Sequence, residues 1–595
     1  MQSLNILDCR AMPKANPFTI LAGVIIAGAV MLAVGSGWNE PLLVDEVPHI
    51  GAGYSYLTSR DMRFNPEHPP LVKDLAAFPL TFLNFDGKSS LESIFQRDDV
   101  TNSQWDFGRR LIYNSGVNPE LATRLARVPM LLFFIASAVL LFLWARRLYG
   151  PAAAITGLIL LAFSPTVLAH SKLITTDGPA MLGVLLAGYA FVNYLRQENK
   201  KTYWFTVGAL GLALLLKFST LLLLPAFLIT GFIFGWFKDG LNAGVKSAGK
   251  ITLLILSGLV LVVWPVYIIH TSGYPPERQR KDTEYLMQWL PQRNIANAII
   301  WASDKPLIRA AGQYALGAVR VIQRSSGPTT IFYLGEISNE GRQSYFPLIY
   351  FLKEPLAWWL LALAALFAVF KLPWTKKNIK VFIKNHPDEL FMLVWLGLYW
   401  TSSIQSNLNI GIRHLLPIYP FMIILVSGRI VWLLDHLQGA SFKVWRGAGL
   451  ILALVMGWYV FETIHAYPFF IPYFNQVAGG SAGGYRYVVD SNVDWGQDLK
   501  RLGQWMDTSR VGKIDLDYFG WADQPYYIRG QFTWVHSTTY KNREDFMKRN
   551  QSNGWIAVSV TFLQNSKQDA DYWWLKQIEP TTTIGHSIFV WRIKD

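Results

Sequence analysis

Two acidic sites and a scattered set of cations are the groups in this sequence whose types and spacing could do chemistry. Asp45 and Glu46 stand side by side in Pro41-Leu42-Leu43-Val44-Asp45-Glu46, directly after a long apolar run. Adjacent carboxylates at a membrane face are costly when buried without partners, about 2.5 to 3.5 kcal/mol each near a span centre and less at its edge. They serve either as an interfacial stop signal or as acids and bases that handle the proton of a hydroxyl. Asp177 falls in Ser171-Lys172-Leu173-Ile174-Thr175-Thr176-Asp177-Gly178, a very short turn between two apolar runs. There it either caps the following helix or supplies a second acid to a site. When the chain is threaded, His68, Lys73, Arg124, Arg127, Lys172, Lys217, Arg324, Arg413 and His414 gather on the same side. Basic residues at external span ends run against the positive-inside bias, and a phosphate near the outer face is the simplest anion to explain them. Singly, each could snorkel or pair with a neighbouring acid.

The elements that must position these groups are membrane helices. The chain has 595 residues, 52% of them hydrophobic and only 16% charged, with a net charge of +14. Charged content that low excludes a disordered or collagenous chain and fits long charge-free stretches diluted by soluble sequence. Cys9 is the single cysteine, so no disulfide, multi-cysteine zinc site or cysteine-ligated cluster can form within the chain. Arg10 and Lys14 precede an uncharged run from Phe18 to Gly37. It is long enough to cross a bilayer at about 1.5 Å per residue and lacks a cleavage pattern, so it reads as a retained first span. Further apolar runs lie near 128–145, 152–170, 178–195, 203–237, 251–270, 347–370, 390–402, 415–434 and 448–467. The 203–237 run predicts a tight helical hairpin broken at Lys217 and Phe218-Ser219-Thr220, a single tilted helix being the alternative. The total is about eleven spans.

With the N-terminus in the cytoplasm, Arg146-Arg147, Arg196/Lys200/Lys201, Lys238/Lys246/Lys250, Lys371/Lys376/Lys377/Lys380/Lys384 and Lys443/Arg446 all fall inside. The basicity therefore records orientation rather than a nucleic-acid partner. The expected fold is a polytopic α-helical membrane protein of the cell (inner) membrane, with a transmembrane catalytic domain at 1–467 and an extracytoplasmic α/β domain at 468–595. External loops span 38–127 and 271–346. In the first, Asn65-Pro66-Glu67-His68-Pro69-Pro70 cannot be continuous helix. Strand-like runs occupy 513–519, 555–562 and 584–593.

Taken together, these motifs resemble the C-type (GT-C) glycosyltransferases, polytopic enzymes that take a sugar from a polyprenyl-phosphate carrier. Asp45-Glu46 after the first span resembles their acidic signature, and Asn65-Pro66-Glu67-His68-Pro69-Pro70-Leu71-Val72-Lys73 is similar to the His-Pro-Pro-Leu-Gly-Lys element of protein O-mannosyltransferases. Arg124-Leu125-Ala126-Arg127-Val128-Pro129, Arg146-Arg147-Leu148-Tyr149-Gly150, Asp177, and Gly411-Ile412-Arg413-His414-Leu415-Leu416-Pro417 follow in the same order. Asp490-Ser491-Asn492-Val493-Asp494-Trp495-Gly496-Gln497-Asp498 is similar to bacterial phospholipid-carrier-dependent members. Val72 departs from the mannosyltransferase element, 271–346 shows no MIR-type trefoil, and aminoarabinose transferases carry Lys where His68 stands.

The resemblance implies transfer of a sugar from a polyprenyl-phosphate-linked donor to a hydroxyl acceptor on the extracytoplasmic side, with inversion. Asp45 is the expected general base, Glu46 orients acceptor or sugar, and Asp177 is a second acid. Arg127, Lys217, Arg413, His414, His68 and Lys73 form the expected donor-phosphate cradle. So many cations favour a site that requires no metal, with Mg2+ or Mn2+ on Asp45 and Asp177 as the competing role. A transporter or flippase of a lipid-linked saccharide is the alternative function, but it calls for repeats and polar residues near the midplane. A non-enzymatic assembly subunit is the third reading. The 490–498 loop is not an EF-hand, because Trp495 replaces the position-six Gly and Arg501 the final Glu. Asp494 capping a helix with Gln497 completing the box is the simpler expectation. Trp301, Tyr333, Tyr345, Tyr473, Trp495 and Trp521 are aromatics that could stack on sugar rings or anchor at interfaces.

Overall fold

A computed structural model describes residues 16–370, 375–550 and 553–594. Cys9, Arg10, Lys14 and Lys371 lie outside the described residues. Helix Pro17–Gly37 begins where Asn16 accepts from the Phe18 N–H at 3.1 Å and Pro17 occupies the first turn. Pro119–Ala162 is 44 residues long but breaks at Gly150, whose φ of 84° and the Pro151 behind it end one helix and begin the next. The 203–237 run is likewise two helices, Lys200–Leu214 and Leu223–Asp239, separated by an extended Lys217 and a 3-10 turn at Phe218–Leu222. The single-helix alternative is not formed. Tyr345–Lys353 and Leu356–Phe370 meet at a bend of 111°, because Glu354 precedes Pro355 and is held extended.

Seven helices are long and apolar enough to cross a membrane among the described residues, or eight if the bent pair is one span. The larger expected number also included shorter segments: the part of the long helix beyond Gly150, Lys200–Leu214 and Pro387–Ile404. Asp177–Arg196 is 20 residues, about 30 Å at 1.5 Å per residue, so those two residues mark opposite ends of the bundle. At the Arg196 end, the buried Asp388 accepts from Arg147 Nη2 at 2.5 Å, from Trp144 Nε1 at 2.6 Å and from Arg196. Two of the basic span ends read as one-sided, Arg147 and Arg196, thus converge on a single carboxylate.

At the Asp177 end lie the two long segments expected to be external. The first folds as the short helices Glu46–Ser59, Leu71–Ala77, Lys88–Phe95 and Val100–Tyr113, with the Pro-rich stretch as turns between them. The second contains helices Pro276–Met287, Arg293–Ala302 and Ile308–Ser326 and a small hairpin of β1 (Ile331–Tyr333) with β2 (Glu336–Ser338). Residues 468–498 form turns and 3-10 segments packed on the bundle, tied down where Lys353 Nζ donates to the Ile471 and Asn492 carbonyls at 2.6 and 2.8 Å.

Beyond them, β3 (Lys513–Asp517), β4 (Gln531–Trp534), β5 (Asn553–Ser559), β6 (Thr582–Ile584) and β7 (Ile588–Lys594) form one sheet in the order β4-β3-β5-β7-β6. The pairs β3–β4 and β3–β5 are parallel, the others antiparallel. Ile514, Leu516, Ala557 and Val590 alternate onto one face and bury against Leu499, Leu502 and Met506 of helix Leu499–Thr508. The expected strand at 555–562 stops at Ser559, where helix Val560–Gln564 begins, and the short β4 and β6 carry too few apolar residues to have been read.

Candidate active site

A cavity of about 360 Å³ opens among the helix ends on the Asp177 side. Its lining combines charged side chains with apolar ones, Leu221, Leu222, Val321 and Ile322 among them. Asp45 reaches it from the turn before helix Glu46–Ser59, Asp177 from the first turn of its helix, Lys217 from the extended break, and Arg413 and His414 from the 3-10 turn Ile412–Ile418. The four charges form a chain. Lys217 Nζ lies 2.5 Å from Asp177 Oδ1, Arg413 Nη1 lies 3.4 Å from Asp177 Oδ2, and the same Nη1 lies 2.6 Å from Asp45 Oδ2. Asp177 is thus an anchor for two cations as well as the start of a helix, and its carboxylate makes no side-chain cap.

Three of the expected site residues stand elsewhere. Glu46 is fully buried and all its acceptor directions are used: Oε2 accepts from the Leu43 N–H (2.9 Å) and Arg127 Nη2 (2.5 Å), Oε1 from Arg127 Nε (2.9 Å) and the Ile174 N–H (3.0 Å). Arg127 also donates to the Pro41 carbonyl at 2.8 Å. This bidentate pair shapes the turn carrying Asp45 and has no lone pair or N–H left for a sugar or phosphate. Lys73 is completely buried and donates to Tyr56 Oη (2.9 Å) and the Asn65 and His68 carbonyls (2.7 and 2.8 Å), folding the Pro-rich turns around itself. Burial pulls its pKa down to about 7, yet three acceptors match the three donors of an ammonium. Sequence reading placed all three in the site because it shows a charge near the outer face, but not the carboxylate or carbonyl that claims it. Arg124 stacks on Trp38 at 3.7 Å and Lys172 pairs with the buried Glu40 at 3.1 Å, so both are likewise committed outside the cavity.

His49, Glu67 and Tyr399 also line the cavity. His49 follows Asp45 by four residues, one turn into the helix that Asp45 precedes, a spacing that could have revealed it. Its ring meets that of His68 edge-on at 5.1 Å, and its Nδ1 lies 2.8 Å from the Ile174 carbonyl. Glu67 bridges Arg320 at 2.9 Å and Arg324 at 3.2 Å across the cavity rim, so Arg324 is a site residue rather than an ordinary loop charge. His68 Nδ1, Thr175 Oγ1 and His414 Nε2 are buried without a hydrogen-bond partner among the described residues. Such orphaned groups cost free energy unless a ligand or water satisfies them.

Burial pushes the Asp45 carboxyl up, but Arg413, His49 and Arg324 outweigh it and hold it below the usual carboxylate range. Burial and the surrounding cations keep His68 well below its usual value, so it is a neutral imidazole near pH 7. Asp45 is also the carboxylate most open to the cavity, with 25% of its side chain exposed against 2% for Asp177. No group of three or more His, Cys, Asp or Glu side chains is arranged to hold a metal among the described residues.

The 490–498 loop departs from the expected capping box. Gln497 Oε1 accepts from the Trp495 N–H at 2.7 Å and its Nε2 donates to the Val493 carbonyl at 2.7 Å, while the helix begins later, at Leu499 with Asp498 in the cap position. Gly496, at φ 83°, turns the chain between them. Asp494 accepts instead from the Gly496 and Thr561 N–H groups, both at 3.3 Å, and burial raises its pKa to about 8. Trp495 is 1% exposed and stacks on Arg413 at 4.1 Å, so it is not a free platform for a sugar. Tyr333, Tyr345 and Tyr473 are buried, and the half-exposed Trp521 stacks on Trp105.

Among solved structures, the fold is similar to ArnT from Cupriavidus metallidurans bound to undecaprenyl phosphate, at 12% identity and a TM-score of 0.47, over 96% of this chain and 98% of that one. It is similar to the Archaeoglobus fulgidus oligosaccharyltransferase at 12% identity and a TM-score of 0.49, over 92% and 70% of the two chains. The S. cerevisiae protein O-mannosyltransferase Pmt1-Pmt2 complex bound to the sugar donor aligns at 19% identity and a TM-score of 0.32, over 44% and 35%. No curated protein matches the sequence. Residues 121–268 match the family described as dolichyl-phosphate-mannose-protein mannosyltransferase, and over that segment the chain carries the pattern that its motifs led us to expect.

Proposed function

We propose that the protein is a multi-pass membrane glycosyltransferase that moves a sugar from a polyprenyl-phosphate-linked donor to a hydroxyl acceptor, on the extracytoplasmic side of the cell (inner) membrane. The observation that carries this reading is the mixed lining of the cavity: the linked charges of Asp45, Arg413, Asp177 and Lys217 share it with the apolar Leu221, Leu222, Val321 and Ile322. That combination suits an amphiphile with an anionic head and a hydrocarbon tail. It is supported by the family match over 121–268 and by the ArnT structure, which was solved with undecaprenyl phosphate.

In this reading Arg413 and Lys217 hold the phosphate, and the unpartnered His68 Nδ1 and His414 Nε2 provide neutral hydrogen-bond partners for its oxygens. Asp45 accepts the proton of the acceptor hydroxyl as that oxygen attacks the anomeric carbon. The phosphate leaves without protonation, and its growing negative charge falls on the fixed cations. Arg413 links the two tasks. Paired to Asp45, it keeps the carboxylate ionised and so able to accept a proton, and from the same place it faces the departing phosphate. A single displacement inverts the anomeric centre. The chemistry needs no metal, because the cations do the work an ion would do.

The test is reconstitution in nanodiscs and in vesicles with labelled polyprenyl-phosphate hexoses and pentoses and a panel of protein, lipid and glycan hydroxyl acceptors. Formation of a glycosylated product with stoichiometric release of polyprenyl phosphate is expected, and loss of both in Arg413→Ala. Movement of the intact donor between leaflets without release of polyprenyl phosphate would overturn the proposal.

A further inference from the structure

Arg413 owes its place to the loop at residues 491–495, which belongs to neither the helical bundle nor the sheet. Ser491 Oγ donates its hydrogen to the Ile410 carbonyl at 2.6 Å, which leaves a lone pair facing Arg413 Nε at 3.2 Å. Asn492 Oδ1 accepts from the Ile412 N–H at 2.9 Å, fixing the backbone just before Arg413, and Asn492 Nδ2 donates to Tyr345 Oη at 2.9 Å. The Trp495 indole lies 4.1 Å from the guanidinium carbon, a cation–π contact with a buried ring. Contact this close requires Gly411, since a Cβ there would come 2.2 Å from Ser491 Oγ.

The same loop also reaches the other half of the pair. The Trp495 carbonyl accepts from the Val44 N–H at 3.1 Å, one residue before Asp45. Lys353 Nζ holds the Asn492 carbonyl at 2.8 Å from below, and Gln497 closes the loop on itself. Ser491, Asn492 and Trp495 are all buried and none lines the cavity. They do not touch what the cavity holds, yet every one contacts a residue or backbone segment that does.

We propose that residues 491–495 are a positioning clamp, in which Ser491, Asn492 and Trp495 set the orientation of Arg413 and its separation from Asp45. This rests on the transferase reading for its kinetic consequence, though not for its geometry. An arginine side chain has large rotamer freedom, and a guanidinium fixed in advance by a hydroxyl, a ring and a braced backbone needs no reorganisation as phosphate charge develops. The clamp also explains what the conspicuous motif after the last span does: its Ser491, Asn492 and Trp495 lie outside the cavity lining and bring the C-terminal part of the chain to the site at one remove.

The experiment compares wild type with Ser491→Ala, Trp495→Leu and Trp495→Phe in the full-length protein. For Ser491→Ala and Trp495→Leu we expect kcat to fall about tenfold, the worth of a hydrogen bond or contact to a charged group, with donor KM within about twofold and Trp495→Phe partly restored. In an Arg413→Lys background, which lacks the Nε contact, Ser491→Ala should add less than about a twofold loss. Independent, multiplicative losses in that double variant would overturn the proposal, as would a wild-type rate in both single variants. A second measurement does not depend on catalysis. Hydrogen exchange in peptides covering 43–47 and 410–415 should accelerate together in Trp495→Leu, and unchanged exchange in both refutes the clamp. Should wild type transfer no sugar at all, the function falls and the exchange result alone decides the clamp. If Trp495→Leu fails to fold, Ser491→Ala and Trp495→Phe are read in the same two assays.

Discussion

Replacing Asp45 by asparagine separates chemistry from architecture at the carboxylate most open to the cavity. Asn keeps the shape and a carbonyl oxygen for Arg413 Nη1, now 2.6 Å from Asp45 Oδ2, but removes the charge and the capacity to accept a proton. Arg413 retains Asp177 at 3.4 Å and Ser491 at 3.2 Å, so the guanidinium is not stranded. Because Asn keeps a hydrogen bond to Arg413 and no buried charge is left unpaired, the loss in stability should stay near the low end for a charged hydrogen bond, about 1.5 kcal/mol. A missing general base costs about 10²- to 10⁴-fold in rate, which corresponds to about 2.7 to 5.4 kcal/mol of barrier. The two effects therefore differ enough to be read apart. Single-turnover transfer from a labelled polyprenyl-phosphate sugar in nanodiscs, followed as released polyprenyl phosphate, isolates the chemical step from product release. Asp45→Asn should lose at least about a hundredfold there while its melting temperature stays within a few degrees of wild type. The wild-type pH profile gives a second check. The base must be ionised, and its pKa is held below the usual carboxylate value, so activity should persist through mildly acidic pH and decline only as pH drops through that lowered value. An Asp45→Asn enzyme within about threefold of wild type would refute the assignment of the base.

Glu46→Gln and Arg127→Met should each lower stability by about 3 to 5 kcal/mol, because each leaves a buried charge without its partner. The double variant should lose less than the sum, and thermal unfolding in detergent measures all three. Asp494 has a folded pKa raised to about 8 by burial, against an ordinary value of 3.8, so the folded state holds an extra proton between them and loses stability as pH rises through that window. Asp494→Asn removes this contribution, and its melting temperature should fall less than that of wild type between pH 5 and 8. Transfer should continue in EDTA, and a loss reversed by Mg2+ or Mn2+ would assign the cations a smaller role than proposed. Lys217→Met should weaken polyprenyl-phosphate binding by about tenfold or more while a vesicle flotation assay still finds the protein in the membrane.

The long charge-free runs made a polytopic helical protein inevitable, since only a helix satisfies its own backbone in hydrocarbon. Proline and glycine marked the breaks: Gly150-Pro151 divides one long helix, and Pro355 imposes the sharp bend after Lys353. These are local effects carried by the residues themselves. That Asp45, Asp177, Lys217, Arg413, His414 and His68 would share one cavity was likewise legible, because each is a polar residue at a span end or in the loop beside it on one side, where the cost of burial asks for a reason.

Partnership was not legible. Asp45 and Glu46 are neighbours of identical charge, yet one opens on the cavity and the other is sealed by Arg127, 81 positions further along the chain. Lys73 and Lys217 read alike as external cations, but the Asn65 and His68 carbonyls enclose the first while Asp177 presents the second to the cavity. Nor does any spacing announce that Ser491 would meet Arg413, 78 residues away, or that Trp495 would stack on it. By itself the sequence determined that the polar groups gather at one end of the helices and where the helices must break, because hydrophobicity and backbone constraint act on each residue in place. Only the tertiary structure decided which charges remain available for a substrate. A carboxylate or an ammonium is satisfied by whichever partner the fold brings within about 3 Å, and that partner is usually distant in the chain.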